Sequence, residues 1–198
     1  MAEVRYEDRW LLVVDKPSGL PTQRTRDGEP GLYDLLRAAH PYLGLHHRLD
    51  RPASGLVLFT RHRDANAAVA AGFRDRRIAR HYAAVLAGTT TGGTWDRPLD
   101  GQPARTEVTV LGGANGMAAV TCRLHTGRTH QIRRHAALAG TPIAGDRRHG
   151  GEASRAWPRL ALHARRLALD HPVTGERIDL ESPLPEDLQA LWALAGGP

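Results

Sequence analysis

No apolar run in this chain is longer than six residues, and Tyr82 to Ala87 is one of that length. Gly and Pro, 21 and 13 of the 198 residues, cut the apolar material into short pieces. A membrane-spanning helix needs about 18 apolar residues in succession and is excluded. What remains is a fold of short strands and short amphipathic helices. The pieces suffice for a core: 41% hydrophobic and 24% charged residues is ordinary globular composition, and chains of this length hide roughly 70% of their unfolded surface. Length predicts one domain spanning 1–198, or one with an elaborated edge. The opening, Met1 to Arg9, is charged and lacks the apolar centre of a secretory signal. Cys122 is the only cysteine, so neither an intrachain disulfide nor a thiolate zinc cage can form. The expectation is a soluble cytoplasmic protein.

Trp10 to Val14 reads as a buried strand ended by the turn Lys16-Pro17-Ser18-Gly19. Leu32, Leu35, Leu36 and Ala39 have the spacing of a short helix. Leu56 to Phe59 is a second strand, and Asp64 is the expected N-cap of an Ala-rich helix running towards Phe73. From Ile78 to Leu86 the pattern has a period of two, and Thr89 to Gly101 reads as a loop. Thr106 to Leu111 and Met117 to Leu124 pair across Gly112 to Gly116. Thr129 to Ala139 is helical, Leu160 to Asp170 and Arg177 to Glu181 are strands, and a last helix starts near Pro185. Grouped strands with hairpin-length connections and irregularly placed helices predict an α+β fold. Its sheet is mixed and mainly antiparallel, with flanking helices, rather than a regular βαβ wind.

Lys and Arg exceed Asp and Glu by 27 to 21, for a net charge of +6. Lys16 is the only lysine, so the basic excess is arginine, whose planar fork suits phosphate and stacks on bases. A polyanionic partner is one reading, and a GC-rich coding sequence is the other. Position says more than the total. In His46-His47-Arg48-Leu49-Asp50-Arg51-Pro52-Ala53-Ser54-Gly55 a carboxylate stands between arginines in a turn made of small residues. Nearby cations favour the ionised acid, the form a nucleophile needs; the same residues also suit a salt-bridged turn. In Thr126-Gly127-Arg128-Thr129-His130-Gln131-Ile132-Arg133-Arg134-His135 a helix start sets Ile132 and Arg133 about 100° apart. One turn then offers an apolar surface and a cation to one cleft, unless Ile132 is core and the arginines a solvated face.

The stretch His47 to Leu56 resembles the signature of the RluA family of pseudouridine synthases. Further stretches follow in that family's order. Val13 to Gly19 resembles its opening strand and turn, Arg80 to Gly88 its tyrosine strand, and Thr126 to Arg133 with Gly145-Asp146 its arginine helix and the turn beyond. Leu162-His163-Ala164, His171 to Gly175 and Ser182 to Pro185 resemble its closing region. Ala53 stands where Thr is common and Arg80 where Lys is common.

The resemblance implies the pseudouridine synthase fold with a central catalytic cleft, and a catalytic set of Asp50 as nucleophile, Tyr82 packed on the target base, and Arg133 paired with the catalytic carboxylate. Tyr82 is also the candidate for proton transfer, with a core side chain bearing a satisfied hydroxyl as the alternative on an alternating strand. For substrate binding it implies Ile132 as an apolar floor and Arg48 as the side chain filling the gap of a flipped nucleotide, or else a phosphate contact. Arg51, Arg128 and His130 complete the expected substrate-binding residues. The partner is RNA, with no cofactor, no metal and no membrane, and a monomer by default. Arg51-Pro52, Arg133-Arg134-His135 and Gly145 to Gly150 look most like the branch typified by tRNA pseudouridine synthase C, so tRNA is expected ahead of rRNA. No S4-like module is expected before the first strand. Two rivals stand: a catalytically silent RNA-binding module, and a metal-dependent phosphodiesterase using the His-Asp cluster, although no HExxH or Cys/His ligand spacing is present.

Overall fold

Alternating apolar residues at Leu11 and Val13, and again at Leu56 and Leu58, put two pairs of side chains on one face of neighbouring strands. These are β2 (Leu11–Lys16) and β4 (Ser54–Thr60), antiparallel with Val13 opposite Leu58. The computed structural model describes residues 2–152 and 154–198. It divides into two compact units, Met1–Ala79 with Ala164–Ser182, and Arg80–His163 with Pro183–Pro198.

In the first unit the strand order is β1 (Glu3–Glu7), β2, β4, β9 (Leu162–Asp170, in this unit from Ala164), with β3 (Gly44–Leu45) added to β4 and β10 (Arg177–Glu181) to β9. Leu11, Val13, Leu56 and Leu58 form one cluster with Leu167, Leu169 and Ile178, and the cluster is joined by Val69, Ile78 and Phe73. Val69 and Phe73 lie one turn apart on α2 (Ala65–Arg74) and so share the helix face that packs there. Leu12, Val14, Val57 and Phe59 are buried on the opposite face, which is why β2 and β4 read as continuous apolar runs. Each such side chain contributes about 1.5–3 kcal/mol on leaving water. The short α1 (Leu32–Arg37) buries Leu32.

The second unit is built on β5 (Ala79–Leu86, in this unit from Arg80), β8 (Met117–Leu124), β7 (Thr106–Ala114) and β6 (Gly93–Trp95), in that order and antiparallel throughout. The α3 helix (Gln131–Leu138) buries Ile132 and Ala136, and α4 (Glu186–Leu194) buries Leu188, Leu191 and Trp192.

The α+β, mainly antiparallel expectation is met. Differences lie at the edges. The Met1 to Arg9 segment contributes β1, and the expected loop from Thr89 contains β6. The β7–β8 hairpin closes at Asn115-Gly116, both with positive φ, rather than over the whole Gly112 to Gly116 segment. Asp64 makes no side-chain cap bond; it already has helical angles (φ −64°, ψ −25°), and its carboxylate lies 3.4 Å from His62. No helix among the described residues is long and apolar enough to cross a membrane.

Gly55, opposite Lys16 in the β2–β4 ladder, has φ +111°, and a Cβ there would lie 2.4 Å from the Ala164 carbonyl oxygen. Both the left-handed backbone and the contact exclude other residues. Gly55→Ala is expected to lower stability by about 2–4 kcal/mol, read as a shift of the urea midpoint.

Candidate active site

Asp50 lies half-buried in the loop between β3 and β4, and that loop is anchored along its length. At its start, His46 Nε2 meets Thr60 Oγ1 at 3.0 Å, and the Leu58 N–H donates to His47 Nε2 at 2.9 Å. In the middle, the Thr22 hydroxyl donates to the Leu49 carbonyl at 2.8 Å, and the Leu49 N–H returns to Thr22 Oγ1 at 3.1 Å. At its end stands Lys16, 0% exposed. Its Nζ donates to the carbonyls of Pro17 (3.0 Å), Leu20 (2.8 Å), Arg51 (3.3 Å) and Ala53 (2.6 Å). Ser18 Oγ to the Pro52 carbonyl (2.8 Å) and Gly19 N–H to the Arg51 carbonyl (2.9 Å) complete the joint. A buried ammonium is tolerated only when its protons are satisfied, and here the backbone of two loops satisfies them.

The flanking arginines differ. Arg51 is committed within the unit: Nε donates to the Gly19 carbonyl at 2.9 Å, and Nη1 and Nη2 fork onto Glu29 at 2.8 and 3.1 Å. Arg48 is exposed, and no hydrogen bond or ion pair engages it among the described residues.

In the second unit Tyr82 sits on β5 opposite Cys122, 5% exposed. Burial pushes the Cys122 thiol up to about 12, so it is not a nucleophile. The start of α3 is fixed by Gln131. Its Oε1 accepts from Thr126 Oγ1 (2.7 Å) and the Arg128 N–H (3.0 Å), and its Nε2 donates to the Arg105 carbonyl and Thr106 Oγ1, both at 3.0 Å. The preceding residue, His130, takes the left-handed conformation (φ 53°), and its Nδ1 meets His149 Nε2 at 2.9 Å. Arg128 Nε donates to the Pro103 carbonyl at 3.0 Å. Ile132 and Arg133, in the first turn, are both buried, so the reading of the arginine as a solvated face fails for Arg133. Arg134 is the outward one, forked onto Asp100 at 2.7 and 2.8 Å.

Arg133 forks onto Asp146: Nε to Oδ2 at 2.9 Å and Nη2 to Oδ1 at 2.8 Å. Asp146 Oδ1 also accepts the N–H groups of Arg148 and His149, each at 3.0 Å. Burial drives the Asp146 carboxyl upward, but the Arg133 fork and the two backbone donors more than offset it and hold it below the usual carboxylate range.

The structure thus gathers Arg48, Asp50 and Arg51 on one anchored loop, and Arg128, His130, Ile132 and Arg133 around one helix start. Two partners went unassigned in the sequence. Lys16 had a signal, being the lone lysine ahead of Pro-Ser-Gly. Asp146 stood in a quoted motif without a role. The histidines that suggest metal are engaged with Thr60, the Leu58 amide, each other (His130 and His149) and, for His135, with Thr106 Oγ1 and the Arg97 carbonyl. No group of three or more His, Cys, Asp or Glu among the described residues is placed to hold a metal ion.

Comparison with known proteins points one way. Residues 10–138 match the family described as RNA pseudouridylate synthase. Ribosomal large subunit pseudouridine synthase D of Pseudomonas aeruginosa is 36% identical over 98% of this chain and 71% of its own length. Its namesake from Xanthomonas campestris is 38% identical over 96% and 68%. Among solved structures, human RNA Pseudouridylate Synthase Domain Containing 1 superposes with a TM-score of 0.80 at 25% identity, over 96% of this chain and 87% of that one. Human RNA Pseudouridylate Synthase Domain Containing 4, at 24% identity and a TM-score of 0.81 over 98% and 93%, has the same fold.

Two outcomes follow from the buried charges. Lys16→Met strands four carbonyls, so a loss of about 3 kcal/mol is expected in urea unfolding, with faster amide exchange at Gly19 and Ala53. Asp146, with its carboxyl depressed, stabilises the fold above its unfolded value of 3.8, and that contribution disappears as pH falls through the folded value. The stability gap between wild type and Asp146→Asn is therefore expected at neutral pH and to close on acidification below 3.8.

Proposed function

The chain belongs to the RNA pseudouridylate synthase family of isomerases, and from that premise we propose that it converts uridine within RNA to pseudouridine with Asp50 as its nucleophile. The observation that carries the assignment to Asp50 is the anchored loop: a carboxylate between arginines, on backbone held by Lys16 and Thr22. Such a mount suits chemistry that needs an oxygen placed to within a fraction of an ångström.

The reaction breaks the glycosidic bond between C1′ and N1, turns the uracil and rejoins it through C5. The proton lost from C5 is balanced by the proton gained at N1. Product and substrate are isomers, so neither redox cofactor nor activated donor is needed. Asp50 serves the departing glycosyl group, whether by attack on sugar or base or by taking a ribose proton. We assign Tyr82 to stacking on the base and to proton transfer, and Arg133 to steadying the carboxylate. Ile132 supplies an apolar floor. Arg48, exposed and uncommitted, is placed to meet RNA. Arg51 serves first to hold the loop, through Glu29. Extruding the target base costs a few kcal/mol, offset by stacking and phosphate contacts.

For the substrate we propose RNA of the large ribosomal subunit first, because the curated relatives reported above are named for it; the tRNA expectation rests only on the resemblance of Arg51-Pro52, Arg133-Arg134-His135 and the Gly145 to Gly150 segment to one branch of the family.

Pseudouridine mapping of RNA from cells with and without the gene is expected to show sites lost from large-subunit rRNA. Purified Asp50→Ala should lose turnover at least about a thousandfold and bind the same RNA within about threefold. Retained turnover removes Asp50 from the mechanism, binding with no pseudouridine from the wild type leaves the silent-binder reading, and chelator-sensitive strand cleavage supports the phosphodiesterase.

A further inference from the structure

We propose that Asp146 is a positioning residue for Arg133, setting the angle at which the guanidinium is presented to the reacting centre; this rests on reading the chain as a pseudouridine synthase. An arginine side chain has many rotamers to choose among, and a charge alone does not tell it where to point. The fork on Asp146 does. Two parallel bonds, at 2.9 and 2.8 Å, fix the plane of the guanidinium as well as its place. They occupy its Nε–Nη2 edge, so the edge carrying Nη1 is the one Arg133 turns to anything else.

The mount is itself rigid. Asp146 Oδ1 holds the backbone N–H groups of Arg148 and His149, and the Asp146 carbonyl accepts the Gly150 N–H and the Ser154 hydroxyl, both at 2.9 Å. With its side chain 0% exposed, Asp146 is closed to RNA and acts through Arg133.

Charge and aim make opposite demands here. A carboxylate against Arg133 offsets part of its positive charge. If Arg133 worked as a point charge, neutralising Asp146 would help catalysis; if it works by aim, the same change harms it. Asp146→Asn separates the two. Three of the four bonds to the carboxylate end on Oδ1, which Asn keeps, so the turn at Arg148 and His149 is retained. Only the Oδ2 tine is lost, replaced by an amide donor facing the Nε donor. The fork becomes a pivot.

The test is single-turnover pseudouridine formation and RNA affinity for wild type, Asp146→Asn, Arg133→Gln and the double variant, with thermal melting to establish folding. Asp146→Asn is expected to slow turnover at least tenfold with Kd within twofold, and to cost less than a further twofold in the Arg133→Gln background. Arg133→Lys, which keeps the charge and cannot fork, is expected to lose a similar factor and supplies the comparison should Asp146→Asn melt early. Nitrogen NMR gives a readout independent of turnover: an exchange-protected Arg133 Nε–H in the wild type, lost in Asp146→Asn. Asp146→Asn or Arg133→Lys at the wild-type rate, or losses that multiply in the double variant, overturn this inference alone. A wild-type chain that forms no pseudouridine overturns the functional reading and the inference with it.

Discussion

One buried ammonium ties the backbone after β2 to the backbone before β4, and the position of Asp50 depends on it. Lys16 lies at the end of β2, opposite Gly55 at the start of β4. From there it reaches carbonyls on both sides of the joint. The sheet ladder alone would align the strands and leave the loops to themselves. The ammonium carries the alignment beyond the last ladder bond, so the loop that bears Asp50 gains the rigidity of the strand it precedes. Loops rarely have this without being paid in contacts, because their backbone groups otherwise turn to water. The absence of a Cβ at Gly55 belongs to the same joint, since it lets β4 start hard against Ala164.

The arginines show how loosely composition is coupled to function. The basic excess suggests a polyanion, yet many of the arginines are paired with acids of this same chain. Arg166 pairs with Asp179, Arg165 with Glu181 and Arg177 with Asp170 along the β9–β10 ladder, and Arg5 reaches Asp15. Exposed pairs of this kind contribute about 0–1 kcal/mol each. They set register and solubility more than stability, and they remove arginines from the pool that can meet RNA. Arg48 remains in that pool, as do Arg147 and Arg148, exposed in the turn that Asp146 holds.

Strands buried on both faces, β2, β4 and the second half of β5, announce themselves as apolar runs, and β7 to β10 were legible from their residue pattern and the turns between them although β7 and β10 are partly exposed. Those that were missed gain their stability from neighbours rather than from their own residues. In β1 only Val4 and Tyr6 are apolar among charges, and a register shift between them breaks the alternation. β6 is three residues in a Gly-rich segment, held by pairing with β7. Asp64 failed as a cap because its own backbone is already helical, where its carboxylate makes no bond to the helix N–H groups, and a sequence does not display that angle. The site residues were legible as a set only through family resemblance; from the residues alone, Asp50 read better as a salt-bridged turn. Partners separated along the chain were out of reach: Glu29 for Arg51 and Asp146 for Arg133 have no local pattern to betray them.

Those two pairs, compared, explain why similar geometry has different consequences. Arg51–Glu29 and Arg133–Asp146 are both two-bond forks with donor–acceptor distances of 2.8–3.1 Å. The side chains of the first are about half exposed, and those of the second are 5% and 0% exposed. Water and salt screen the first, so it clamps a loop lightly and can exchange for solvent. The second is beyond the reach of both, and breaking it leaves a buried charge without its counterion, a far larger penalty. The exposed fork therefore tolerates motion of the loop it clamps, and the buried fork holds the Arg133 guanidinium to one orientation.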